Sequence, residues 1–155
     1  IRYNKDLAGC DQDECLLRGV YILFLRVLDD MKLRVGGLGE IELEKGLYAY
    51  VGSAQNNLEK RLARHKSKAK RLRWHIDYLT SSDKVIVESA YAYELPKEYE
   101  CRIAGLLARI SQKAVRGFGS SDCRCSSHLF KLGGVVKDIC EMVSRAFESR
   151  PIRIF

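Results

Sequence analysis

No stretch of the 155-residue sequence approaches the roughly 20 consecutive apolar residues that a helix needs to cross a bilayer, and the opening IRYNKDLAGC lacks the charged-then-apolar order of a secretory leader. A soluble, cytoplasmic chain with no membrane partner is therefore expected. Internal repeats and low-complexity linkers are also missing, which leaves a single domain of mixed α+β structure as the simplest account. Acidic residues are absent from residues 60–73, where Lys60, Arg61, Arg64, Lys66, Lys68, Lys70, Arg71 and Arg73 crowd together. These eight cations exceed the formal charge of +7 carried by the whole chain, so the remainder is one unit negative. Basicity confined to one element suits a phosphate-backbone footprint, although a solvated basic helix and loop has the same composition.

Six cysteines, at positions 10, 15, 101, 123, 125 and 140, are present in a chain whose hydrophobic content of 46% is enough to bury a core. Such a chain does not need disulfide staples, and reduced thiols are expected; in a heat-adapted organism Cys10 and Cys15 would form a local pair.

The first 18 residues show no clear period and read as an N-terminal arm. Residues 19–28 (GVYILFLRVL) form a β-branched and aromatic run, and three further strand candidates follow at 32–35, 40–44 and 47–52, punctuated by Gly36, Gly37, Gly39 and Gly46. An antiparallel meander fits this spacing. In NNLEKRLARHKSK, Leu58 and Leu62 recur at helical spacing behind an asparagine cap, and Arg61, Arg64, His65 and Lys68 share a face. WHIDYLTSS predicts a second short helix and residues 84–93 a returning strand. Pro96 opens a helix with Tyr99, Ile103, Leu106, Leu107 and Ile110 as its stripe, and Val136, Ile139, Cys140, Val143 and Phe147 mark a last one. Residues 116–127 (RGFGSSDCRCSS) read as a structured loop.

Three segments carry chemistry: Gly19-Val20-Tyr21, Tyr50-Val51-Gly52-Ser53 and LEKRLARH from Leu58 to His65. Together they resemble the GIY-YIG nuclease superfamily, the YVGSA…LEKRLARH part being the most specific. HIDYL and GFGSSDCRCSSHLF extend the likeness, over residues 19–130, to a branch catalogued as a domain of unknown function. The resemblance implies an α+β fold in which a small antiparallel sheet is flanked by helices. It also implies a nuclease domain at 19–132, with a C-terminal helix at 133–155 packed on it. Tyr21, Tyr50 and Arg61 would be catalytic, with His65 as a phosphate contact or proton shuttle, and Glu100 would hold a divalent cation, Mg²⁺ or Mn²⁺. Two departures stand out. The 28 residues between Tyr21 and Tyr50 exceed the family's usual interval and read as an inserted β-hairpin, and Glu94, Glu98 and Glu100 all lie near the expected acid.

Phosphodiester hydrolysis needs an activated water, a cation on the phosphate and positive charge for the transition state, which this set would supply. The expected function is a metal-dependent endonuclease acting on DNA, with Lys60, Arg64, Lys68, Arg71 and Arg73 binding nucleic acid. Alternatives are a non-catalytic nucleic-acid-binding module on the same scaffold and an RNA-binding or RNA-processing factor, because backbone charge alone does not separate DNA from RNA. Read singly, strand tyrosines more often pack a sheet, and His75 would pair with Asp77 as a structural residue. Cys123, Cys125 and His128 form C-x-C-x2-H, soft donors for a structural zinc with Cys101 or Cys140 as a fourth ligand; the spacing departs from zinc fingers and favours reduced thiols shaping the loop.

Overall fold

The computed structural model describes residues 17–155, so the expected arm over residues 1–18, apart from its last two, and the Cys10–Cys15 pair lie outside the described residues. At the centre is β1 (Gly19–Val27), in which only Arg26 is exposed. Period-two geometry sends Val20, Ile22 and Phe24 to one core and Tyr21, Leu23, Leu25 and Val27 to the other. A strand buried on both faces has to be apolar nearly throughout, which is why GVYILFLRV reads as a continuous run.

β1 is paired along both edges. On one side β4 (Gly46–Ala54) runs antiparallel to it from Gly19↔Ala54 to Val27↔Gly46, and on the other lies β5 (Val85–Tyr93). Between β1 and β4 in sequence, β2 (Met31–Val35) and β3 (Gly39–Leu43) pair with each other in a separate two-stranded sheet, joined by a 3₁₀ turn at Gly36–Leu38. The expected continuous meander therefore does not form. With both edges of β1 occupied, the extra residues between the tyrosines fold as a hairpin that buries Met31, Val35 and Leu43 in the core on one sheet face.

That face carries α1 (Leu58–Lys66) and α2 (His75–Thr80), which contribute Leu58, Leu62, Ile76 and Leu79. The opposite face carries α3 (Tyr99–Ile110) and α4 (Val136–Phe147), through Ile103, Ala104, Leu107, Ile139, Cys140 and Val143. Three strands too short to show a period complete the main sheet: β6 (Lys113–Ala114), β7 (Leu129–Leu132) and β8 (Ile152–Arg153). The described residues thus form a mixed α+β structure with a six-stranded antiparallel sheet in the order β6-β7-β4-β1-β5-β8. No helix among them is long and apolar enough to cross a membrane.

Much of the basic run holds α1 to α2 and β5. Asp77 is fully buried and accepts from both terminal nitrogens of Arg64 (2.6 and 2.9 Å) and from the backbone N–H groups of Arg73 and Trp74. Burial alone would raise its pKa, but the Arg64 bond and the Trp74 and Arg73 N–H groups hold the carboxyl below its usual value. Lys68 donates to the carbonyls of Thr80, Ser82 and Val85, and Lys70 to those of Arg64 and His65 and to the Thr80 hydroxyl. These ammonium groups add to the capping of the C-terminal ends of α1 and α2, and Lys68 also ties α2 to the start of β5. α1 ends at Lys66, so Lys68 lies beyond the helical face it was expected to share with Arg61.

Lys70→Ala should lower unfolding free energy by about 1.5–3 kcal/mol, the range for hydrogen bonds made by a charged donor. Urea unfolding measures this, and a loss below about 0.5 kcal/mol would mark Lys70 as an ordinary surface cation.

Candidate functional site

The β1–β4 register pairs Tyr21 with Gly52 and Leu23 with Tyr50, so the two tyrosines are diagonal neighbours on the face beneath α1, their ring centroids 6.4 Å apart. Gly52 is glycine for a steric reason: a Cβ there would overlap the Tyr21 hydroxyl. The asparagine cap that starts α1, Asn57 Oδ1 accepting from Lys60 N at 3.0 Å, fixes which residues face the sheet. One turn apart on that helix, Arg61 donates to the Ser53 carbonyl at 2.7 Å and His65 places Nε2 2.8 Å from the Tyr21 hydroxyl. Trp74 lies against both Arg61 and Arg64, each guanidinium 4.6 Å from its ring centroid.

Tyr50 and Arg61 open into a cleft of about 650 Å³ that is also lined by Ser53, Arg73, Trp74, His75, Lys97, Glu98, Glu100 and Asp122. Next to it lies a groove of about 940 Å³ with Asn56, Asn57, Lys60, Arg64 and Lys97 in its wall. Arg61 borders both. Tyr21 and His65 are 2% and 1% exposed and sit behind this surface, as a buried pair supporting Tyr50. Of the three acids near the expected place, Glu98 and Glu100 reach the cleft and Glu94 does not line it. Arg71 borders neither cavity, and Lys68 is drawn away to the end of α2.

The far wall is the loop leading into β7. Gly119, at φ +69°, donates its N–H to His75 Nδ1 at 2.9 Å, and a Cβ on it would lie 3.0 Å from the Tyr50 ring. His75 therefore bonds this loop rather than Asp77, whose oxygens are taken by Arg64 and the backbone. His128 accepts the Val51 N–H on its carbonyl at 2.9 Å, and its Nδ1 stands 3.7 Å from Glu100 Oε2. In that wall the donor atoms of Cys101, Cys123, Cys125 and His128 all lie within 4.8 Å of one another, and Cys101 and Cys123 line the cleft. The fourth member is Cys101, from α3. Cys140 is on α4, with its carbonyl accepting the Tyr93 hydroxyl.

Burial pushes the Tyr21 phenol well above its ordinary pKa, Tyr50 and Glu100 adding to the rise while Arg61 opposes it. Tyr50 is raised in the same way, by burial and by Glu100. Both hydroxyls are thus protonated donors at neutral pH. Burial and the nearby Lys70 ammonium lower the His65 pKa from 6.5 to about 3, so its ring is neutral. Trp74, His75, Lys97 and Asp122 were not singled out by sequence reasoning as site residues. Trp74 had a signal, being the single tryptophan and standing at the end of the basic run.

The family model described as domain of unknown function DUF123 matches residues 20–150, and the chain belongs to that family. No curated protein and no solved structure matches it.

The buried imidazole makes stability depend on pH. Its folded pKa of about 3 lies below the unfolded value of 6.5, so the contribution is complete above pH 6.5 and is lost as pH falls toward 3. Between pH 6.5 and 5 this amounts to about 2 kcal/mol, at about 1.4 kcal/mol per unit. Urea unfolding of wild type and His65→Gln at pH 7 and pH 5 isolates the effect: the variant should lose about 2 kcal/mol less than wild type over this interval. Equal losses would mean that the ring is not held neutral.

Proposed function

We propose that this member of the DUF123 family is a nucleic-acid phosphodiesterase, an endonuclease of the GIY-YIG type acting on DNA with Mg²⁺ or Mn²⁺. The observation that carries the reading is the meeting of Tyr50, Arg61 and Glu100 in one cleft that continues into a basic groove. A phosphate entering there faces the guanidinium of Arg61 from α1 and the ammonium of Lys97. These fixed positive charges suit the charge that develops on the phosphoryl oxygens at the transition state. The exposed indole of Trp74, already stacked against Arg61 and Arg64, offers a platform for an unpaired base, which favours branched or single-stranded substrates.

Oxygen donors for a hard divalent cation are present in the cleft, where Glu98, Glu100 and Asp122 form part of the lining without forming a three-ligand cluster, so the substrate phosphate and water would supply most of the ligand oxygens. Such a cation would polarise the phosphate and lower the pKa of a bound water. Tyr50 is the phenol that faces the cleft and orients the attacking water. Its own pKa is raised in part by Glu100, so charge neutralisation at Glu100 favours its acting as the base. Tyr21 positions this arrangement from behind through His65. Binding without turnover is the competing reading, and the raised phenol pKa values favour it.

Arg61→Ala and Glu100→Gln should each cut cleavage of branched, nicked or single-stranded DNA at least a hundredfold while changing affinity less than tenfold. A panel containing matched RNA strands separates the RNA-directed alternative. Wild type that binds DNA and cuts none of the panel with Mg²⁺ or Mn²⁺ establishes the binding module instead.

Affinity should fall with salt. Arg64, Lys68 and Lys70 are engaged within the protein, leaving Lys60, Arg61, Arg73 and Lys97 along the two cavities; about four phosphate contacts imply a log–log salt slope of roughly −3 to −4. Fluorescence anisotropy across a salt series measures the slope, and a value near zero would falsify the phosphate-binding role.

A further inference from the structure

We propose that Cys101, Cys123, Cys125 and His128 bind one Zn²⁺ as a closed structural site that fastens the loop over residues 116–128 to α3. The four donors come from three places, α3, the loop and its junction with β7, yet they converge within 4.8 Å of one another. Donors around a tetrahedral zinc, at about 2.0–2.3 Å from the ion, stand roughly 3.5–3.8 Å apart, so a contraction of about 1 Å completes the site. His128 Nε2 and Cys123 Sγ are already 3.5 Å apart.

The second observation is the orientation of His128. Its Nδ1 lies 3.2 Å from the Val51 carbonyl, which can only accept, so the proton resides on Nδ1 and the Nε2 lone pair points into the thiols. A ligating histidine held through its other nitrogen by a carbonyl is the usual support for a metal-bound imidazole. Three sulfurs and one nitrogen select zinc over the hard cations suited to the cleft carboxylates, and four protein ligands leave no open position for catalysis. Binding displaces up to three thiol protons and involves no electron transfer.

The loop has reason to need such a fastening. Phe118 is its large buried anchor, and its left-handed Gly117 and Gly119 add no side chains to the core. Zinc would link the loop, which packs on Tyr50 through Gly119, to Cys101, the residue after Glu100. The ion thereby sets one wall of the cleft. This proposal does not rest on the nuclease reading, because metal content is measured without any assay of cleavage.

Tag-free full-length protein, purified under reducing conditions, should contain about one zinc per chain by plasma mass spectrometry. Cys101→Ser and Cys125→Ser should retain less than about a tenth of it, whereas Cys140→Ser, outside the cluster, should retain it. Misfolding of a variant is bypassed by adding Co²⁺ to chelated, reduced wild type, which should produce thiolate-to-cobalt charge-transfer absorption and the strong visible bands of tetrahedral coordination. Wild type with no zinc and no cobalt spectrum overturns the proposal. So does a disulfide between two of the cluster cysteines, located by peptide mapping of the alkylated, non-reduced protein, which separates it from a Cys10–Cys15 bridge of the same intact mass.

Discussion

The pairing of β1 with β4 is the constraint from which the site follows. Because side chains alternate faces along a strand, a slip of one residue would send one of the tyrosines to the α3 and α4 side of the sheet, away from Arg61. The register is secured from two directions. Both faces of β1 are buried in separate apolar cores, so a slip would misplace Ile22 and Phe24 as well as Leu23 and Leu25. At the site itself, Gly52 lets the Tyr21 ring lie across β4, where any side chain would collide with the hydroxyl. The hairpin inserted between the two strands leaves this pairing intact because it is itself antiparallel and returns the chain to its starting side.

The basic segment divides its charges between two tasks. Arg64, Lys68 and Lys70 spend their hydrogen-bonding capacity inside the protein, on the buried Asp77 carboxylate and on the carbonyls at the ends of α1 and α2. Lys60, Arg61 and Arg73 reach the cavities. The two roles are connected: the Arg64–Asp77 bond holds α2 and the indole at its start, and that indole supports Arg61 at the cleft. Part of an apparent phosphate footprint is thus the brace that positions the rest of it.

Electrostatically the cleft sets charges of both signs side by side. Burial raises both phenols and keeps His65 uncharged, so among the described residues the charges lining the cleft are the cations of Arg61, Arg73 and Lys97 and the carboxylates of Glu98, Glu100 and Asp122. The thiol cluster differs in kind: its donors are soft, and it stands in the cleft wall itself, where Cys101 and Cys123 border the same space as the carboxylates of Glu98, Glu100 and Asp122.

Local pattern determined a good deal by itself. Largely apolar or aromatic runs marked β1, β4 and β5, helical spacing marked α1, α3 and α4, and the glycines at 36, 39 and 46 placed the hairpin, because these features depend on neighbours a few residues away. The tyrosines, Arg61 and Glu100 could be nominated from short motifs for the same reason. Strands of two to four residues, such as β6, β7 and β8, have no period to detect and exist only through their partners in the sheet. Tertiary structure alone decided that Tyr50 faces the cleft while Tyr21 and His65 lie behind it. It also decided that Lys68 is turned inward and that Cys101, rather than Cys140, joins a cluster 22 residues further along the chain. Each of these depends on which distant segments are brought together and on how much water their packing excludes, and neither quantity is written in local spacing.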